Sequence, residues 1–303
     1  MSALDVYQDP ALPSPYNYVP SRTVATIFVV LYTFSTITHI IQAMLRSRMW
    51  WLFPTICICG AVEVAGWCGR LWSSFIPSSS DAFMLQICAT ILAPTPLVAA
   101  NFIILGRIVR KLGTAYSRLP PRWYTIVFCT CDFISLVIQG TGGGMAASSS
   151  TNPNQRKGGN VMLAGIVFQL GKSIALTIAV YACLAIEFFV RYFKDKPFSS
   201  RRDSKDPSLF GRPHMTQKLK IMSMALAFST VCLFIRAIYR TIELSDGWSG
   251  RIISTELYFN VLDGAMVVLA IYTMNFVHPG VYLSSDDSLH SSEAINIKLR
   301  EAA

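Results

Sequence analysis

Along most of the chain, long apolar runs alternate with short polar gaps. A helical span needs about 20 predominantly apolar residues. Seven runs reach that length: 23–45, 51–72, 82–106, 123–145, 159–189, 221–242 and 255–277. The pattern predicts an all-α integral membrane protein, a seven-transmembrane helix bundle over 23–277. A polar N-terminal tail occupies 1–22 and a Ser-rich tail 278–303. The fifth run is longer than a bilayer requires and is expected to tilt or to extend beyond it.

The apolar runs are interrupted by charge in a regular way. Arg236, Arg240 and Glu243 are spaced i, i+4 and i+7, which puts them on one helix face. Glu256, Asn260 and Asp263 repeat the spacing in the last run. The turn 245–250 is short enough that the two runs must fold back on each other. Glu63 lies near the middle of the second run, with Gly66 and Arg70 on the same face. Pro94 and Pro96 break the third run and free backbone carbonyls that protein or water must satisfy. Asp132, Ser135 and Gln139 share a face of the fourth run, and Lys172 lies in the fifth. The first run carries His39 and Gln42, and a lone His there is expected to donate a hydrogen bond between helices.

Buried charge is costly in lipid unless it pairs or lines a wet cavity. Two readings of these groups follow. They form a structural ion-pair network that fixes the bundle, or they line a polar cavity for the head group of an amphiphile. The depths expected for Arg70, Arg236, Arg240, Glu243, Glu256 and Asp263, all toward the outer half of the bilayer, favour a cavity open to the outer leaflet.

Basic residues set the orientation. Arg46 and Arg48 lie in the first gap, and Arg107, Arg110, Lys111, Arg118 and Arg122 in the third. Nine more lie between Arg191 and Lys220. The opposite gaps are poor in Lys and Arg, so the N-terminus is expected outside and the C-terminus in the cytoplasm. Residues before Arg22 show no basic region followed by an apolar one, so no cleavable signal is expected. The net charge of +9 is concentrated in these gaps, which argues against a nucleic-acid partner.

Composition agrees: 52% of residues are apolar and 14% charged, against about 25% charged in soluble domains. The eight cysteines lie within or at the rims of apolar runs and are expected to pack as small apolar residues. Gly165 to Ser173 imitates a phosphate-binding loop, but five residues separate its glycines where four are required. No cofactor and no metal site is expected, since of the four histidines only His39 lies well inside a run.

Taken in order, several short motifs resemble one family. They are Glu63-x-x-Gly66-x-x-Gly69-Arg70, Leu92-Ala93-Pro94 with Leu105-Gly106-Arg107, and Asp132-x-x-Ser135 with Gln139 and Gly142-Gly143-Gly144. Gly165-x-x-x-Gln169 follows, then Arg236-x-x-Tyr239-Arg240-x-x-Glu243, Glu256 seven residues before Asp263, and His278-Pro279-Gly280. The chain resembles the fungal lipid-translocating exporter family, also called RTA-like or resistance-to-aminocholesterol, over about 18–280. Trp67 stands where a tyrosine is expected.

The resemblance implies seven spans in a fungal plasma membrane or endomembrane and export or flipping of amphiphiles such as sphingoid long-chain bases or toxic sterol-like molecules. By position it carries over Glu63, Arg70, Asp132, Gln139, Arg236, Arg240, Glu243, Glu256 and Asp263 as substrate-binding residues. The expected partners are an amphiphilic lipid and the bilayer, and no enzymatic activity is expected. The alternatives are a porphyrin or haem-type transporter and a seven-transmembrane receptor or lipid sensor. An intramembrane hydrolase fits poorly, for want of clustered histidines.

Overall fold

The computed structural model describes residues 16, 18–47, 49–112, 116–117, 130, 178–194, 215–246, 252 and 254–283. Helix α1 (Arg22–Gln42) runs on through the π turn Ala43–Ser47. A 3-10 turn, Trp50–Leu52, and a π turn, Phe53–Cys57, lead into α2 (Ile58–Phe75). Next come α3 (Ser80–Leu92), α4 (Pro94–Leu112), α5 (178–193) and α6 (Gln217–Asp246). The chain closes with α7 (Glu256–Tyr258), the π segment Phe259–Ala265, α8 (Met266–Phe276) and α9 (Pro279–Tyr282).

Five passages among the described residues are long and apolar enough to cross a membrane: Arg22–Leu45, Trp50–Phe75, Ser80–Leu112, Gln217–Glu243 and Glu256–Tyr282. They coincide with five of the seven apolar runs. Of the other two, 123–145 lies outside the described residues except for position 130, and only the end of 159–189 is described, as α5.

Helix α1 exposes apolar side chains and buries polar ones. Helix α1 buries Tyr32, Ser35, Thr36 and His39 while Val30 and Phe34 stand 60% and 64% exposed. Contiguous exposed apolar surface of this kind is what a lipid-facing helix presents. On the inward face polar groups bind helix to helix. His39 Nε2 donates to the Ile271 carbonyl at 3.2 Å, Gln42 Nε2 to the Asn275 carbonyl at 3.1 Å, and Asn275 Nδ2 to Ser35 Oγ at 2.6 Å. The role expected of His39 is the one observed. Where tails and core are equally oily, such bonds and close packing hold helices together.

Helix α2 is the hub, packed against both α1 and α3. Its glycines set the second contact. A Cβ on Gly66 would stand 2.8 Å from Thr90 Cγ2, and one on Gly69 would stand 2.9 Å from the Gln86 nitrogen. Only the missing side chains let α3 come this near. That approach matters for the charges, because it carries Thr90 to the middle of the bundle.

Candidate functional site: a buried ion network beside an apolar groove

The break expected at the prolines falls between α3, which ends at Leu92, and α4, which begins at Pro94. A helix bonds each carbonyl to the N–H four residues on, and Pro94 has none. The carbonyl it leaves open is that of Thr90. Arg236, reaching across from α6, donates Nη2 to that oxygen. Arg240, one turn further on, donates Nη2 to Thr90 Oγ1 at 2.8 Å. The hydroxyl proton of Thr90 goes back to the Gln86 carbonyl at 2.9 Å. A proline in one span thus determines where the two arginines of another can anchor.

Both arginines also meet Asp263. Arg240 grips it with Nε to Oδ1 at 2.7 Å and Nη2 to Oδ2 at 2.8 Å, a two-pronged pair. Arg236 Nε lies 2.9 Å from Oδ1, close enough for an ion pair but off hydrogen-bond geometry. The third nitrogen of Arg240, Nη1, donates to Glu243 Oε2 at 2.9 Å, and Tyr239 donates its hydroxyl to Glu243 Oε1 at 2.8 Å. All of these side chains are at most 4% exposed. The α6 face expected from the spacing is real, and its partner is Asp263.

The second expected face divides. Glu256, Asn260 and Asp263 do not point to one place, because the stretch between them is the π segment, whose wider turns do not repeat at seven residues. Glu256 turns to Arg70 of α2, which donates Nη2 to Oε1 at 3.2 Å. The same oxygen accepts from the Ser21 backbone N–H at 2.9 Å. Asn260 is half-buried, its Oδ1 has no hydrogen-bond partner, and it stands apart from the ion pairs.

Arg70 is completely buried and sits among rings. Phe259 lies 4.5 Å from its guanidinium, Tyr16 and Tyr18 5.6 Å, and Trp67 5.8 Å. Arg70 Nη2 also donates to the Tyr18 hydroxyl at 2.9 Å, and the Tyr16 hydroxyl meets Ser73 Oγ at 3.0 Å. Burial pushes the Tyr16 phenol up to about 12, outweighing Ser73 and Arg70, and burial raises Tyr18 as well, so both stay neutral. The residues just ahead of α1 therefore close over the Arg70–Glu256 pair.

Glu63 differs from the rest. It is 1% exposed, and neither of its oxygens has a hydrogen-bond partner among the described residues. Asp263, Arg236 and Arg240 lie within electrostatic reach, and the Trp67 indole N–H is near but off hydrogen-bond geometry. Trp67 stacks on Phe28 at 4.0 Å and leans on Phe259 at 5.5 Å. Tyr32 donates its hydroxyl to the Gly264 carbonyl at 2.8 Å. A Cβ on Gly264 would stand 2.5 Å from Trp67, so glycine is what lets the indole lie across the π segment.

Beside the network lies a groove of about 540 Å³, lined by Ile235, Ile238, Tyr239 and Ile242 of α6 with Ile252, Tyr258 and Leu262. It is apolar apart from the two tyrosines. Tyr239 belongs to both places: its ring lines the groove and its hydroxyl holds Glu243.

Seven of the nine residues singled out in the sequence are thus placed. Arg236, Arg240, Glu243 and Asp263 form one cluster with Glu63 beside it, and Arg70 with Glu256 forms a neighbouring pair. Asp132 and Gln139 lie outside the described residues. Sequence reasoning missed Thr90, Tyr16, Tyr18 and Tyr32. For Thr90 a signal existed, since it stands four residues before Pro94.

The family model described as RTA1 like protein matches residues 56–286. The chain belongs to the RTA1-like family. The matched region holds every charged residue of the network. Among its relatives is the sphingoid long-chain base transporter RSB1 of Saccharomyces cerevisiae, 27% identical over 86% of this chain and 72% of that one. Protoporphyrin uptake protein 1 of the same yeast is 22% identical over 84% of this chain and 89% of its own. The lipid-translocating exporter-like protein RTA1 of Leptosphaeria maculans is 23% identical over 94% of this chain and 54% of its own. No solved structure matches.

Proposed function

We propose that this RTA1-like protein moves amphiphilic lipids with a cationic head group, of the sphingoid long-chain base kind, from one leaflet of its membrane to the other. The observation that carries the proposal is the juxtaposition of an apolar groove with a buried charge network in which one carboxyl, Glu63, has no hydrogen-bond partner. The groove suits the hydrocarbon tail. The ammonium head needs a carboxyl not already neutralised, and Asp263, Glu243 and Glu256 each have an arginine. The names of the yeast and Leptosphaeria relatives support a lipid-like cargo.

On this reading Arg236 and Arg240 pair with Asp263 and Glu243 and hold α6, α3 and the π segment together. Arg70 and Glu256, covered by Tyr16 and Tyr18, close the end of the network nearest the N-terminus. Asp132 and Gln139 of the fourth span are proposed to contribute to cargo binding. The chain crosses the membrane seven times with its N-terminus outside and its C-terminus in the cytoplasm, as the basic gaps require. The plasma membrane is the proposed location, and the role is that of a carrier, not an enzyme.

The test is reconstitution of the purified protein in liposomes with labelled long-chain bases, sterols, phospholipids and porphyrins. Trans-bilayer movement of the long-chain bases above the protein-free rate is the expected result. Movement of porphyrins alone would replace the head-group assignment with that of the protoporphyrin uptake relative. No movement, with ligand-dependent recruitment of a cytoplasmic protein, would make the chain a receptor.

A further inference from the structure

The carrier reading leaves open what Glu63 does when no cargo is present. Its surroundings supply a charge count. Two guanidiniums, Arg236 and Arg240, face two carboxylates, Asp263 and Glu243, at 2.7 to 2.9 Å. Each also donates to Thr90: Arg236 Nη2 to its carbonyl and Arg240 Nη2 to its hydroxyl. With Glu63 ionised the cluster would carry a surplus negative charge, in a site 1% exposed and without a hydrogen bond to that carboxyl. With Glu63 protonated the cluster is neutral.

Among the described residues, no other charged group recorded against Glu63 changes the count. From α1 comes Tyr32, whose hydroxyl proton is engaged by the Gly264 carbonyl. Helix α2 itself supplies the Cys59 thiol and the Trp67 indole. From α3 comes the uncharged Thr90, bound to both arginines. Helix α6 supplies Arg236 and Arg240, and the π segment supplies Asp263. An isolated carboxylate removed from water is strongly disfavoured against its neutral acid.

We propose that Glu63 is the exchange residue of the carrier: it holds a proton while the network is empty and yields it to water as an ammonium head group takes its place. No bond other than the carboxyl O–H is broken, and the net charge of the described cluster is the same before and after. Uptake of one cationic amphiphile thus releases one proton, which couples lipid movement to a proton gradient running the other way. This inference rests on the carrier reading above.

The experiment measures binding of an N-trimethylated long-chain base to the purified protein in detergent by calorimetry at pH 7, in buffers of different ionisation enthalpy. The probe has no titrating proton, so any proton released comes from the protein. The wild type is expected to release close to one proton per probe bound. Glu63→Gln keeps the shape and neutrality of the protonated acid, and it is expected to fold as the wild type does, to bind at least tenfold more weakly and to release none. Binding by the wild type without proton release, or equal release from Glu63→Gln, overturns the exchange role and leaves the carrier reading intact. Failure of the wild type to bind the probe overturns both.

Discussion

Asp263 and Glu63 are acids of the same bundle, both 1% exposed and within electrostatic reach of each other. Asp263 receives two hydrogen bonds from Arg240 and lies 2.9 Å from Arg236. Glu63 receives no hydrogen bond. The difference arises from the helices that carry them. Asp263 sits on a π segment that turns it toward α6, whose arginines are fixed in place by Thr90. Glu63 sits on α2, between glycines that bring α1 and α3 close but offer no donor to the carboxyl. One acid is tied up in holding the fold and the other is available. A buried charge network therefore need not be wholly structural or wholly functional, since the division can run between neighbouring carboxyls.

Substitutions can break this contrast. The largest effect is expected for Arg240→Gln, which removes the partner of two buried carboxylates at once. Breaking such a pair costs about 3–5 kcal/mol. The variant should lose its folded peak in detergent size-exclusion or denature well below the wild type; a wild-type melting curve would show that the network does not hold the bundle. Gly264→Leu should come next, at about 1–3 kcal/mol for overpacking, because its side chain must displace Trp67 and Phe28. It should also quench or shift Trp67 fluorescence, whereas an unchanged spectrum would place the indole elsewhere.

Glu63→Gln sharpens the contrast from the other side. With no hydrogen bond to lose, it should change thermal stability by less than about 1 kcal/mol and still impair transport. A destabilisation as large as that of Arg240→Gln would mean that Glu63 holds the bundle together just as Asp263 does. The smallest effect is expected for Glu187→Gln, which breaks the partly exposed pair to Arg191 on α5, at 2.8 Å. Such i, i+4 pairs are worth about 0.3–0.5 kcal/mol, so neither folding nor transport should move measurably.

Much of this was legible in the sequence because helix periodicity is regular. Arg236, Arg240 and Glu243 share a face on α6 for the reason their spacing indicated, and five of the apolar runs became passages long enough to cross a bilayer. Where periodicity changed, legibility stopped. Glu256 and Asp263 part company because seven residues do not close two turns of a π helix, and no residue pattern marked that segment beforehand. The open carbonyl was deducible from Pro94, but not that an arginine more than a hundred residues away would fill it. That depends on how closely Gly66 lets α3 approach. Tyr16 and Tyr18 read as tail residues, and their rings gain significance only from lying over Arg70. The pocket itself was least legible. The sequence suggested a polar cavity among the charges, whereas the described groove is apolar and lies beside ion pairs that are closed on one another.

The account turns on Glu63 as the acid that meets cargo. The most direct measurement is the rate at which a labelled long-chain base crosses the bilayer of vesicles carrying equal amounts of folded wild-type or Glu63→Gln protein. The account predicts wild-type movement well above that of protein-free vesicles and Glu63→Gln movement at least tenfold slower. Equal rates from the two proteins would contradict it.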